Sequence, residues 1–231
     1  MTTPFLLIPG LNCDARVYSH ATQVLWPFGP VTIANHQTGN SVGAMAEAIL
    51  TVAPERFALG GFSMGGYVAF EILRQAPQRV LKLALIDTTA RPDAAEATEN
   101  RRRNSALVQG GKFSAVIEQS FPTSFHPDHV MDADFYSIHR AMSASNGPEI
   151  YVQHQQAIMA RPDSRPDLAR ITIPTQIIVG EGDQVTPPEM AKEMHEGVSG
   201  SRLAIIPRAG HMSLIEQPDL VNAALKEWAA A

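Results

Sequence analysis

The stretch RFALGGFSMGGYVAFEILRQA, from Arg56 to Ala76, reads as strand, sharp turn and helix. Phe57, Ala58 and Leu59 make a short apolar run, glycines stand on both sides of one serine, and Tyr67, Val68, Phe70, Ile72 and Leu73 recur with helical spacing. A serine held in a strained strand-to-helix turn needs neighbours without bulk. Gly61 and Gly65 therefore stand where a β-carbon would meet the adjacent strand or helix, and Gly60 and Gly66 widen the allowance. Such a turn lifts the Ser63 hydroxyl above the carboxyl end of its strand and aims the positive end of the helix dipole at the reacting centre. Ser63 is the candidate nucleophile. Glycines beside a serine also describe an ordinary loop, but a strand before and an amphipathic helix after favour the catalytic reading.

Outward from this unit, strands and helices alternate. Phe5–Ile8 is a continuous apolar run ended by Pro9 and Gly10, as expected of a strand buried on both faces. A helix is expected within Ala15–Trp26, a short strand over Val31–Ala34, and a helix carrying Val42, Met45, Ala46, Ile49 and Leu50 with Ser41 as its N-cap. After the elbow helix, Val80–Ile86 reads as a strand ending at Asp87. Later come a strand over Thr175–Val179, a helix opened by Pro187 or Pro188, and a strand over Leu203–Ile206. A terminal helix spans roughly residues 218–228, with Leu220, Val221, Ala224, Leu225 and Trp228 expected inward. Repeated strand–helix alternation implies a parallel sheet wrapped by helices on both sides.

Between about residues 93 and 169 the rhythm changes. No β-branched strand run appears, and helical pieces are expected to break at Pro122, Pro127, Gly147, Pro148 and Pro162. Residues 93–169 are thus read as a helical insertion, with 1–92 and 170–231 forming the core, and its apolar content suits a lid over a cleft.

At 231 residues the chain fits one α/β domain, and 45% hydrophobic with 18% charged residues is ordinary for a globular protein. A net charge of −5 gives no electrostatic case for nucleic acid, and the run Arg101, Arg102, Arg103 is read as a solvated helix face. The single cysteine, Cys13, excludes an intramolecular disulfide and a cysteine-based zinc site, and is expected to pack rather than react. No signal-like or membrane-spanning stretch is evident, so a cytoplasmic protein with no membrane or nucleic-acid partner is expected.

A serine hydroxyl needs a base, and the base needs a carboxylate to fix its tautomer. Ser63, Asp183 and His211 each follow a strand at the same edge of the expected sheet, where open α/β folds gather their ligands. In this the chain resembles the α/β-hydrolase fold superfamily, on Gly61 to Gly65, then Gly180, Glu181, Gly182, Asp183, then Gly210, His211. Nucleophile, acid and histidine occur in the order this family uses. The resemblance implies a catalytic triad of Ser63, Asp183 and His211, an oxyanion hole made by the backbone N–H groups of Met64 and Leu11, and a lid after the strand ending at Asp87. No cofactor is expected, and no metal, since the histidines lack metal-site spacing. Asp87 is a rival for the acid, since some family members take it from that strand. The seven remaining histidines are expected on the surface or lid. Two departures stand out. Family members often carry His-Gly where this chain has Pro9-Gly10, which leaves the loop without its usual bracing histidine. The first strand begins almost at residue 1, so the N-terminal hairpin is expected to be missing, leaving about six strands.

The expected reaction is hydrolysis of a small, fairly apolar carboxylic ester or lactone through an acyl-enzyme on Ser63. Carbon–carbon bond hydrolysis, cofactor-free perhydrolysis or elimination on the same residues is the alternative, and a non-catalytic ligand receptor is a third reading. A lid arginine such as Arg91, Arg102, Arg140 or Arg161 facing Ser63 would mark a carboxylate-bearing substrate; a dry apolar pocket would mark a simple ester.

Overall fold

A computed structural model describes residues 2–231. Six parallel strands, β1 (Phe5–Ile8), β2 (Val31–Ile33), β3 (Phe57–Phe62), β4 (Val80–Ile86), β5 (Thr175–Gly180) and β6 (Arg202–Ile206), form one sheet in the order β2-β1-β3-β4-β5-β6. Every residue of β1, β3 and β5 is buried, as strands covered on both faces require.

Side chains alternate along each strand, and the two sets enter separate cores. Leu6, Ile8, Leu59, Leu83, Leu85, Ile177 and Val179 share one core with α2 (Val42–Val52), α3 (Met64–Gln75) and α7 (Pro188–Gly197). Phe5, Leu7, Ala58, Phe62, Ala84, Ile86 and Ile178 share the other with α1 (Ser19–Leu25) and α9 (Pro218–Ala230). Trp228 anchors α9 edge-on against Phe5, with ring centroids 5.6 Å apart. Ser41 caps α2 by accepting the Ala44 N–H at 3.1 Å.

Between β4 and β5 the chain forms α4 (Ala95–Gln109), α5 (Phe113–Ser124) and α6 (Ala133–Met159). α6 kinks at Gly147, whose φ of 79° and ψ of 173° lie outside helical space, with Pro148 next. α8 (Ser213–Glu216) is one turn preceding α9. No helix of the described residues is long and apolar enough to cross a membrane.

Several local expectations need correction. Pro122 lies inside α5, which ends two residues later rather than at the proline. The segment after Asp14 opens as a 3-10 turn over Ala15–Tyr18 before α1 begins. Leu220 is 42% exposed, because the stripe that α9 buries is the set Val221, Leu225 and Trp228, one step round the helix. His36, expected on the surface, is buried; His139 and His154 lie in the helical insertion, as the reading allowed, and are buried there.

Candidate active site

The β3–α3 turn places Ser63 at φ 52° and ψ −118°, a sparsely populated backbone region that persists only when the surroundings enforce it. They do so on two sides. A β-carbon on Gly65 would lie 2.0 Å from the Ile8 carbonyl oxygen, so only glycine lets α3 start this close to β1. The Thr88 hydroxyl donates to the Ser63 carbonyl at 2.7 Å and ties the elbow to the end of β4.

The Ser63 hydroxyl donates to His211 Nε2 at 2.8 Å, and His211 Nδ1–H donates to Asp183 Oδ2 at 2.8 Å. Sequence separations of 148 and 28 residues are thereby closed into one hydrogen-bonded line. Asp183 is buried and held by more than the imidazole. Its Oδ1 accepts the N–H groups of Val185 and Thr186 at 2.8 and 2.9 Å, and its Oδ2 accepts the Thr186 hydroxyl at 2.7 Å. Burial disfavours the protonated form of His211, but the Asp183 carboxylate, by charge and hydrogen bond, outweighs it with help from Asp87 and Glu216. The imidazole pKa is raised above its ordinary value of 6.5.

Asp87, the rival acid, makes no hydrogen bond to His211. Its Oδ1 accepts the Gly180 N–H at 2.8 Å, and its Oδ2 lies 2.5 Å from the Ser213 hydroxyl. Complete burial, and then the nearby Asp183 charge, push the Asp87 carboxyl well above the usual carboxylate range. Asp87 is a buried brace between β5 and α8.

Leu11 lies in the loop after β1, and Met64 is the first residue of α3, so the Met64 N–H precedes the helical hydrogen-bond ladder. Where Pro9-Gly10 replaces His-Gly, another histidine supports the loop: His36 Nε2–H donates to the Gly10 carbonyl at 3.0 Å. The His154 ring from α6 stacks on His36 with centroids 4.7 Å apart, and its Nε2–H donates to the His36 carbonyl at 3.1 Å. A second brace holds the histidine loop. Glu216 Oε1 accepts the Gly210 N–H at 2.7 Å, while Oε2 accepts the His126 N–H at 2.7 Å and His129 Nδ1–H at 2.8 Å. His126 and His129 thus join the segment after α5 to the His211 loop.

Ser63 and His211 open on a cleft of about 180 Å³ roofed by α4, α5 and α6. Leu11, Phe62, Tyr67, Ile158 and Met212 give it apolar walls. The roof is more polar than an apolar lid would be, because Arg101, Asn104, Tyr151 and Gln155 also face the cavity. The arginine that lines the same cleft as Ser63 is Arg101. The four others singled out are occupied elsewhere: Arg91 with Glu193, Arg102 with Glu99, Arg140 over Tyr136, and Arg161 with Asp93 and over Tyr67. Cys13 borders the cleft but is buried, and that burial, with the Asp14 charge, pushes its thiol to about 12, which leaves it unreactive near neutral pH. Among the described residues no three His, Cys, Asp or Glu side chains converge to hold a metal ion.

Sequence reasoning missed Thr186, Glu216, His36 and Arg101. Thr186 and Glu216 follow Asp183 and His211 by three and five positions, a proximity that marks them only once the triad members are known. Nothing local marks His36, and the Arg101–Arg103 run shows no preferred direction before the helix is docked.

An elbow serine, a following histidine and a buried carboxylate at the carboxyl edge of a parallel sheet define a class of hydrolase. The chain belongs to the alpha/beta hydrolase fold family, whose model matches residues 44–218. It is 26% identical over 188 residues to a putative non-heme bromoperoxidase, BpoC, of Mycobacterium tuberculosis, covering 79% of this chain and 70% of that one. It is 26% identical over 216 residues to a pimeloyl-[acyl-carrier protein] methyl ester esterase of Neisseria meningitidis, covering 88% of this chain and 83% of the relative. Among solved structures, a malate-bound thermophilic esterase from Thermogutta terrifontis superposes with a TM-score of 0.89 at 30% identity, over 100% of this chain and 90% of that one.

Proposed function

We propose that this hydrolase cleaves a small carboxylic ester or lactone through an acyl-enzyme on Ser63. The observation that carries the reading is the unbroken line Ser63–His211–Asp183, with 2.8 Å at each link, opening on a cleft sized for a small acyl group. Ser63 Oγ attacks the ester carbonyl while His211 Nε2 takes its proton. Asp183 holds the imidazole in the tautomer that presents Nε2 as a base and offsets the charge that develops on it. The oxyanion is received by the N–H groups of Met64 and Leu11, backed by the dipole of α3. The tetrahedral adduct collapses, the alcohol leaves with the proton from His211, and water, deprotonated by the same imidazole, releases the acid.

Residues 93–169 act as the lid of this reading, since their helices supply most of the cleft roof. The single buried thiol suits a reducing compartment, and the cytoplasm is the location we assign. The esterase relatives support ester hydrolysis. The BpoC relative favours perhydrolysis as the second reading, because the same acyl-enzyme opened by hydrogen peroxide instead of water yields a peracid.

The test is p-nitrophenyl ester turnover, acetate through octanoate, by the protein and its Ser63→Ala variant. Release of nitrophenol that vanishes in the variant supports the acyl-enzyme on Ser63. An inert wild type whose Ser63 is still labelled by a fluorophosphonate rejects the simple ester and moves perhydrolysis or carbon–carbon cleavage forward.

A further inference from the structure

Charge in the cleft is one-sided. Among its lining residues Arg101 is the one that is cationic at every physiological pH, and no Asp or Glu lines the cavity. The nearest balancing carboxylate, Asp93, is shared. Its Oδ1 receives Arg161 Nη1 at 2.7 Å and Arg101 Nε at 3.2 Å, so two guanidinium groups meet one carboxylate and the cluster keeps a net positive charge. Arg161 is spent on structure: its Nε–H donates to the Arg91 carbonyl at 3.0 Å, its Nη1 also donates to the Ile158 carbonyl at 2.9 Å, and its plane lies over Tyr67.

Arg101 is held but not used up. Its Nη1 donates to Gln155 Oε1 at 2.9 Å, and its Nη2 has no hydrogen-bond partner among the described residues. Asn104, Tyr151 and Gln155 line the same cleft as Arg101 and add neutral hydrogen-bonding groups to it. A fixed guanidinium edge with amide and phenol donors beside it, in a pocket without carboxylates, is chemistry for a planar monoanion. We propose that the substrate of the Ser63 site carries a carboxylate remote from its scissile carbonyl, and that Arg101, flanked by Asn104, Tyr151 and Gln155, receives it. This rests on the ester-hydrolase reading and narrows its substrate to half-esters of short dicarboxylic acids or lactones bearing a free carboxylate. A single uncompensated positive charge suits a carboxylate better than a phosphate dianion.

The test has two arms. In the first, methyl half-esters from succinate to adipate and the matching neutral methyl esters are hydrolysed by the wild type, Arg101→Gln and Arg101→Lys, with acid release followed by pH-stat. The wild type is expected to favour the best half-ester over its neutral counterpart by at least tenfold in kcat/KM. That ratio should fall at least tenfold in Arg101→Gln, mainly through KM, and recover in part in Arg101→Lys. In the second arm glutarate and adipate are titrated calorimetrically into the same proteins, with inorganic phosphate as competitor and melting curves to verify folding. Binding to the wild type that is lost in Arg101→Gln upholds the carboxylate site even if no ester is turned over, an outcome that rejects only the hydrolase reading. Turnover of neutral esters with no half-ester preference and no dicarboxylate binding overturns the inference and leaves the hydrolase reading standing. Phosphate competing as well as glutarate overturns the carboxylate assignment.

Discussion

His36 Nε2 stands 3.0 Å from the carbonyl oxygen of Gly10, so the loop proposed to carry the Leu11 oxyanion donor is anchored from the far end of β2. Pro9 stands at the position where the resemblance to the family would place a bracing histidine, and His36 reaches the loop from β2's side instead. His154 then presses on His36 from α6, which links the roof of the cleft to the loop beneath it.

Replacing His36 with alanine removes the donor to Gly10 and leaves that carbonyl and the His154 ring without their partner. Since one oxyanion donor is worth about 100- to 1000-fold in kcat when deleted, loosening its support should cost about tenfold, chiefly in kcat. Steady-state kinetics of His36→Ala on short p-nitrophenyl esters, beside the wild type, reads this directly. A KM effect with kcat intact would contradict the bracing role.

The same two rings make stability depend on pH. Burial lowers the pKa of His36 from 6.5 to about 4, and burial together with the neighbouring His36 lowers His154 to about 3. Both are neutral when folded, whereas in the unfolded chain both bind protons below about pH 6.5. The unfolded state then holds more protons, so stability falls as the pH drops from about 6.5 towards 4, by a few kcal/mol in total. Thermal melts between pH 7 and pH 4.5 should show a progressive loss of Tm. The double variant His36→Gln, His154→Leu should flatten that slope.

Activity should rise with pH as His211 loses its proton, and the midpoint should lie above 6.5 because Asp183 favours the imidazolium. Asp183→Asn removes that preference and presents the wrong tautomer, so kcat should fall by a factor on the order of 10,000. Asp87→Asn is expected to cost less than about tenfold, since Asp87 bonds to Gly180 and Ser213 rather than to His211 and an amide preserves its size and polarity. Equal losses at the two positions would overturn the assignment of the acid.

Glu216 is a buried acceptor for Gly210, His126 and His129 at once. Glu216→Ala strands two backbone N–H groups in the interior, and chemical denaturation should register a loss of about 2–4 kcal/mol. Glu216→Gln keeps one carbonyl acceptor and should lose less. If the alanine variant is as stable as wild type, the brace is not structural.

The elbow, the order Ser63, Asp183, His211 and the six parallel strands were legible from residue order, because each rests on local physics. Apolar runs bounded by Gly, Pro and Asp mark buried strands, and glycines around Ser63 mark a turn that no bulkier neighbour permits. The Ser41 cap and the Gly147-Pro148 kink are local in the same sense. What folding alone decided are relations between distant groups. Asp87 and Asp183 both follow a strand at the same sheet edge, and only the closed sheet determines that Asp183 meets His211 at 2.8 Å while Asp87 turns to Gly180 and Ser213. His36 and His154 lie 118 residues apart and become a buried pair only once α6 docks against the loop that follows β2. A helix has all its faces in the sequence but one face against its neighbours. Hence Leu220 remains in solvent and Arg101, from a run of three identical residues, enters the cleft: docking, set by the packing of the whole core, selects the direction that local pattern leaves undetermined.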